Sequence, residues 1–173
     1  RPRFGPLLAV RIFYALAFNL FQTIFAQFAQ VRLDLTVQST SYILAYIGIL
    51  VALVQGLAIR RLTARFSEAR LIVVGAGLLA LSLLAWAFAP NVVLLLVALA
   101  PLALAAGVLN TVINSAITKS VPLEEAGGAL GLAAATESLT RVISPSLGGL
   151  LLQFAGAWAP GSLGALVMLG VTV

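Results

Sequence analysis

The chain has 173 residues, of which 62% are hydrophobic and only 9% are Asp, Glu, Lys or Arg. A soluble domain carries roughly 25% charged residues, so a mean hydropathy of +1.14 leaves too little polar surface for water and assigns lipid as the solvent. The net charge of +5 comes from ten basic residues scattered along the chain, without the clustered basic face that a nucleic-acid partner requires.

Cysteine and histidine are both absent. Without them there is no disulfide framework, no thiolate nucleophile, no ordinary near-neutral general base and no His- or Cys-ligated metal site. The expectation is a non-enzyme with no catalytic residues, no metal and no cofactor.

A helix crossing ~30 Å of hydrocarbon needs about 20 mostly apolar residues. Six stretches qualify, at residues 6–29, 39–59, 71–89, 91–118, 126–154 and 157–173. Backbone groups in lipid must bond within the spanning structure, which leaves helices or a closed barrel. Barrel strands would alternate in polarity over ~10 residues, whereas these runs are continuous and twice that length. The fold class is therefore an all-α membrane protein with six transmembrane helices.

In chain order, the first stretch carries Arg11, Asn19 and Gln22 among an aromatic stripe of Phe18, Phe21, Phe25 and Phe28, for which packing or lipid contact is the ordinary role. Arg11, like Glu137 and Arg141 an ionisable group within a span, either faces the bundle interior or, lying near one end, reaches lipid phosphates. Arg11 and Gln22 fall within ~20° of each other around the helix, with Asn19 about 80° away. Ser39, Thr40 and Ser41 offer N-cap hydroxyls to the second stretch, and Tyr42 and Tyr46 suit an interface. Pro90 and Asn91 make the turn into the fourth, where Pro101 and Gly107 mark bends. That helix ends in a polar strip of Asn110, Thr111, Asn114, Ser115 and Thr118.

Pro122, Glu124 and Glu125 precede the fifth stretch, where a helix dipole favours carboxylates. Glu137 sits ~16 Å past Ala126, near mid-membrane, with Arg141 at i+4 and Thr140 and Ser144 alongside. Ionisable groups at that depth usually face a bundle interior. Either this pair is permanently neutralised, or substrate or proton binding breaks it to bias inward against outward states. Gly127, Gly128, Gly131, Gly148 and Gly149 are expected at tight helix crossings. Pro160 and Gly161 place the start of the sixth helix near Ser162.

Lys and Arg counts in short loops orient the spans. One side holds Arg1, Arg3, Arg60, Arg61, Arg65, Arg70 and Lys119, the other only Arg32. This puts both termini in the cytoplasm of a multi-pass protein of the cell (inner or plasma) membrane. Arg11 interrupts the apolar run early, so the start reads as a first span rather than a cleaved leader. A chain without an initiator Met reads as a trimmed or excised segment.

Residues 55–75, QGLAIRRLTARFSEARLIVVG, form a helix end, a compact basic loop and the next helix start. Gly56, Arg60, Arg61, Arg65, Glu68 and Arg70 resemble the loop motif that joins the second and third helices in each half of major facilitator superfamily transporters, with Ile59 and Arg60 standing where the motif has an early acid. Residues 110–149 resemble the tenth-to-eleventh-helix region of that superfamily's drug/proton antiporters. The resemblance implies the C-terminal half of a twelve-helix carrier: one bundle over residues 1–173, built as 3+3 inverted repeats at 6–89 and 91–173.

It further implies secondary active transport of a small molecule, as proton-coupled efflux by alternating access. A second six-helix half would complete the path, whether a missing N-terminal half, a homodimer mate or another membrane subunit. Asn19, Gln22, Asn110, Asn114, Glu137 and Arg141 are the candidate substrate and proton path. The competing expectation is a structural membrane subunit of transporter-like fold that moves nothing. The expected partners are the lipid bilayer, the substrate and protons, and no nucleic acid.

Overall fold

The computed structural model describes residues 4–172. Arg1 and Arg3, counted above on the cytoplasmic side, and Val173, the end of the sixth stretch, lie outside the described residues. The described residues form α1 (Phe4–Leu33), α2 (Val37–Leu53), a π-helical segment (Val54–Ala58), α3 (Ile59–Arg65), α4 (Glu68–Ala87), α5 (Val92–Lys119), a 3-10 turn (Leu123–Glu125), α6 (Ala126–Ala155) and α7 (Ala159–Thr172), with no strand among them.

Among the described residues, four helical rods are long and apolar enough to cross a membrane: Phe4–Leu33, Val37–Arg65, Glu68–Ala87 and Val92–Lys119. The second of these joins α2, the π segment and α3 into one 29-residue rod. α6 matches them in length, but Thr136, Glu137, Ser138, Thr140, Arg141 and Ser144 dilute its apolar character. α7 is a shorter apolar helix of 14 residues.

Local chemistry sets the helix ends. Thr36, rather than Ser39, Thr40 or Ser41, caps α2: its side chain accepts a hydrogen bond from the Ser39 amide at 3.2 Å. Ser67 caps α4 through the Arg70 amide, so that helix begins three residues before the apolar run. Asn91 caps α5 as its Oδ1 accepts from the Leu94 amide at 2.9 Å. α7 starts at Ala159 rather than near Ser162, because Pro160 sits in the first turn, where its missing N–H costs nothing.

α4 packs on α5 and α7, α1 packs on α6 and α7, and α2 leans on α5. An apolar knot surrounds Trp86 of α4. Phe21 meets its indole edge-on at 5.0 Å and Phe28 lies 5.1 Å away, with all three side chains fully buried. The stripe Phe21, Phe25 and Phe28 is thus interhelical packing, while Phe18 turns toward a cavity.

α2 and α6 bury little. α2 covers only Thr40, Ile43 and Ile47, and α6 only Ala129, Ala133, Thr140, Ser144 and Gly148. Gly148 is a tight crossing of α6 on α1: a side chain there would collide with Ile24. Gly127, Gly128, Gly131 and Gly149 differ from expectation, since a Cβ at any of them would meet nothing within 4 Å. Large apolar side chains such as Val31, Ile49, Leu81, Val93 and Val97 stand exposed, a surface that suits lipid and not water.

Candidate functional site

α1, α5, α6 and the α2–π rod surround a cavity of about 160 Å³. α1 contributes Tyr14, Phe18, Asn19 and Gln22, the π segment Gln55, α5 Asn110, and α6 Glu137 and Arg141. Each is a polar or aromatic break in an apolar helix, and the packing of α1 against α6 turns these breaks inward together.

Glu137 is the hub. Its Oε2 accepts from Arg11 Nη2 at 2.5 Å and its Oε1 accepts from Arg141 Nη2 at 2.8 Å. Arg11 also donates from Nη1 to Asn110 Oδ1 at 2.8 Å, and its guanidinium lies 5.6 Å from the Tyr14 ring centre. Exposure separates the two arginines: the Arg11 side chain is 6% exposed and that of Arg141 66%. Arg11 is therefore an interior charge held by Glu137 and Asn110, not a side chain reaching out to phosphates. Burying a guanidinium is tolerable only with such partners.

A second polar chain runs beside the hub. Asn19 donates from Nδ2 to Thr140 Oγ1 at 2.8 Å, and the Thr140 hydroxyl donates to the Glu137 carbonyl at 2.7 Å. Both side chains are buried. Asn19 thus ties α1 to α6 at the cavity wall. Gln22 and Gln55 line the cavity with no hydrogen bond of their own among the described residues.

The polar end of α5 divides. Asn110 serves Arg11, while Ser115 donates to Glu68 Oε1 at 2.8 Å. Thr111 and Thr118 turn back on their own helix, bonding the Gly107 and Asn114 carbonyls. Asn114 is half-buried and lies outside the cavity wall.

In the loop region Glu68 pairs with Lys119 at 2.7 Å, not with the arginines. Arg60, Arg61, Arg65 and Arg70 are all exposed. Gly56 sits in the π segment with open space where a Cβ would stand, whereas Gly107 of α5 packs closely against Val54. Among the described residues no group of His, Cys, Asp or Glu is arranged to hold a metal ion.

Sequence reading passed over Tyr14 and Gln55 as site residues. Tyr14 stacks on Phe18 with ring centres 5.8 Å apart and donates its hydroxyl to the Ala106 carbonyl at 3.1 Å. Its signal was its position three residues after Arg11, on the same helix face. Gln55 gave a weaker one, a lone amide near the end of an apolar span. The π segment that aims it is a feature frequent at functional sites.

The profile of the Major Facilitator Superfamily matches residues 7–173. Solute carrier family 22 member 18 of Rattus norvegicus is 33% identical over 155 residues, which cover 90% of this chain and 38% of that protein. Solute carrier family 67 member A1 of Homo sapiens is 29% identical over 138 residues, or 80% and 32% of the two chains. The chain thus spans between 32% and 38% of the length of these relatives.

Among solved structures, the human organic anion transporter MFSD10 (TETRAN) superposes with a TM-score of 0.87 at 18% identity, over 96% of this chain and 39% of that one. The POT family transporter PepTSo gives 0.82 at 16% identity, over 99% and 36%. At such identities the likeness is one of fold.

Proposed function

The chain belongs to the Major Facilitator Superfamily, a family of multi-pass membrane transporters rather than enzymes, and from that premise we propose that it is one six-helix half of a secondary transporter for a small molecule. Its two inverted units are α1 to α4 and α5 to α7, at residues 6–89 and 91–173. The half works by alternating access with a second six-helix half, and Glu137 carries the coupling proton.

The observation that carries this reading is the Arg11–Glu137–Arg141 hub facing a cavity between four helices. A half-buried carboxylate between two guanidiniums is held by both while ionised and loses that attraction when protonated, so its contacts switch with its charge. A carrier needs such a switch to bias its inward and outward states. Asn19, Gln22 and Asn110 line the path beside it, and Asn114 continues the polar strip one turn beyond Asn110. The thinly covered α2 and α6 support a further bundle packed against this side.

Orientation rests on the ends of three helices. Pro6 and Leu7 of α1, Glu68 of α4 and Lys119 of α5 share one recess, at the end of the bundle to which the Arg60–Arg70 loop belongs. That clustered positive charge supports a cytoplasmic N-terminus and an inner or plasma membrane location. Efflux, the direction implied by the drug/proton resemblance, is read by a flux assay.

The test is flux in proteoliposomes containing the protein in its native assembly, under an imposed pH gradient. Solute should move with the gradient, and Glu137→Gln should uncouple solute from protons. An assembly that moves neither solute nor protons would overturn the proposal in favour of a structural subunit.

A further inference from the structure

The charge of the hub bears on what the path carries. Two guanidiniums face one carboxylate, a net charge of +1. The other described acids lie at helix ends or in connections: Asp34 between α1 and α2, Glu68 at the start of α4, and Glu124 and Glu125 before α6. Glu137 is the one acid lining the cavity, and both its oxygens are already engaged.

Arg141 is the opposite case. Only its Nη2 is bonded, to Glu137, and its side chain is largely exposed. Its remaining N–H donors have no partner among the described residues. The amides of Gln22 and Gln55 stand unpaired on the same cavity, and the stacked Tyr14 and Phe18 rings form an apolar wall.

We propose that the cavity takes a small organic anion, its carboxylate on Arg141 and its flat apolar body against Tyr14 and Phe18. This deepens the transport reading above and rests on it. A planar guanidinium matches a carboxylate with two parallel hydrogen bonds, while a cation entering here meets a net positive charge and no free acid. Glu137, bonded to both arginines, already makes the kind of contact that a ligand carboxylate would make with Arg141.

The proton follows the same arithmetic of charge. The charged or titratable groups facing Glu137 are Arg11 and Tyr14 from α1 and Arg141 from α6, and the α2–π rod and α5 present the neutral Gln55 and Asn110. Protonating Glu137 raises the hub to +2, so proton and anion strengthen each other's binding.

The chain has no cysteine, so Gln22→Cys or Gln55→Cys places a single thiol in it at the cavity. In membranes holding the native assembly, modification is followed by mass on peptides of this chain. The probes are a sulfonate-bearing and a trimethylammonium-bearing methanethiosulfonate, each rate normalised to that with a free thiol. The anionic reagent should lead by at least ~10-fold, the lower range of electrostatic focusing in a charged cleft. Arg141→Gln, which keeps the Arg11–Glu137 pair, should erase the preference, and Arg141→Lys should restore it in part. Benzoate should slow the reaction while benzylamine does not. A cationic reagent that reacts as fast or faster overturns the anion proposal and leaves the path reading standing. If neither reagent reaches either thiol, the path reading fails and the anion proposal with it.

Discussion

Arg11 of α1 and Glu137 of α6 lie 126 positions apart in sequence and share an ion pair at 2.5 Å. The arginine is interior and the carboxylate faces the cavity, so the pair joins the buried frame of the bundle to its candidate path.

Removing one partner exposes that coupling. Glu137→Gln leaves the Arg11 guanidinium buried with a neutral amide, and breaking a buried pair this way costs about 3–5 kcal/mol. Arg11→Gln should cost less, because Glu137 keeps Arg141. The double variant should recover part of the loss, with a coupling energy of ~0.5–3 kcal/mol. Thermal unfolding in nanodiscs measures all three, and strictly additive losses would show that the pair does not couple.

The Asn19–Thr140 bond is a smaller tie between the same helices. Hydrogen bonds between membrane helices average ~0.6 kcal/mol and reach ~1.7. Asn19→Ala and Thr140→Val should each destabilise within that range, and their double variant should be no worse than either alone. A double variant as costly as both losses combined would mean that the two side chains act separately.

Gly148 and Gly149 offer a test of helix rotation in adjacent residues. A methyl at Gly148 collides with Ile24 and comes within 3.3 Å of Leu20, both buried, so Gly148→Ala should cost about 1–3 kcal/mol as overpacking. Gly149 meets nothing within 4 Å, and Gly149→Ala should gain about 0.5–1 kcal/mol from helix propensity. The reverse order of melting temperatures would place the α1–α6 contact on the wrong face of α6.

Trp86 should be the costliest apolar truncation. It is fully buried against Phe21, Phe25 and Phe28, and Trp86→Ala should cost about 3–5 kcal/mol. Trp86→Phe should cost less, since the indole N–H has no hydrogen-bond partner among the described residues. Denaturant unfolding in mild detergent compares them, and equal losses would mean that ring packing does not hold this knot.

Much of the site was legible one helix at a time. Glu137 and Arg141 stand out because charges in an apolar run are costly, and their i, i+4 spacing makes them neighbours on any helix. Arg11 was legible only as a choice between the bundle interior and the lipid phosphates. Its place near a helix end is compatible with snorkelling until α5 and α6 bring Asn110 and Glu137 to it. The loop motif drew attention to Glu68, but its partner Lys119 comes from 51 positions away.

Composition and runs of about 20 apolar residues settled the solvent, the helical class and the loops where the chain turns, because each depends on residues close together in the chain. Caps moved those limits by a few residues only. The identity of each buried partner depended on how far every helix rotates and where it crosses its neighbours. The pairing of Arg11 with Glu137, the open face around Gly128 and the turn of Tyr14 and Gln55 into the cavity follow from packing side chains between rods, which spacing along a single rod does not determine.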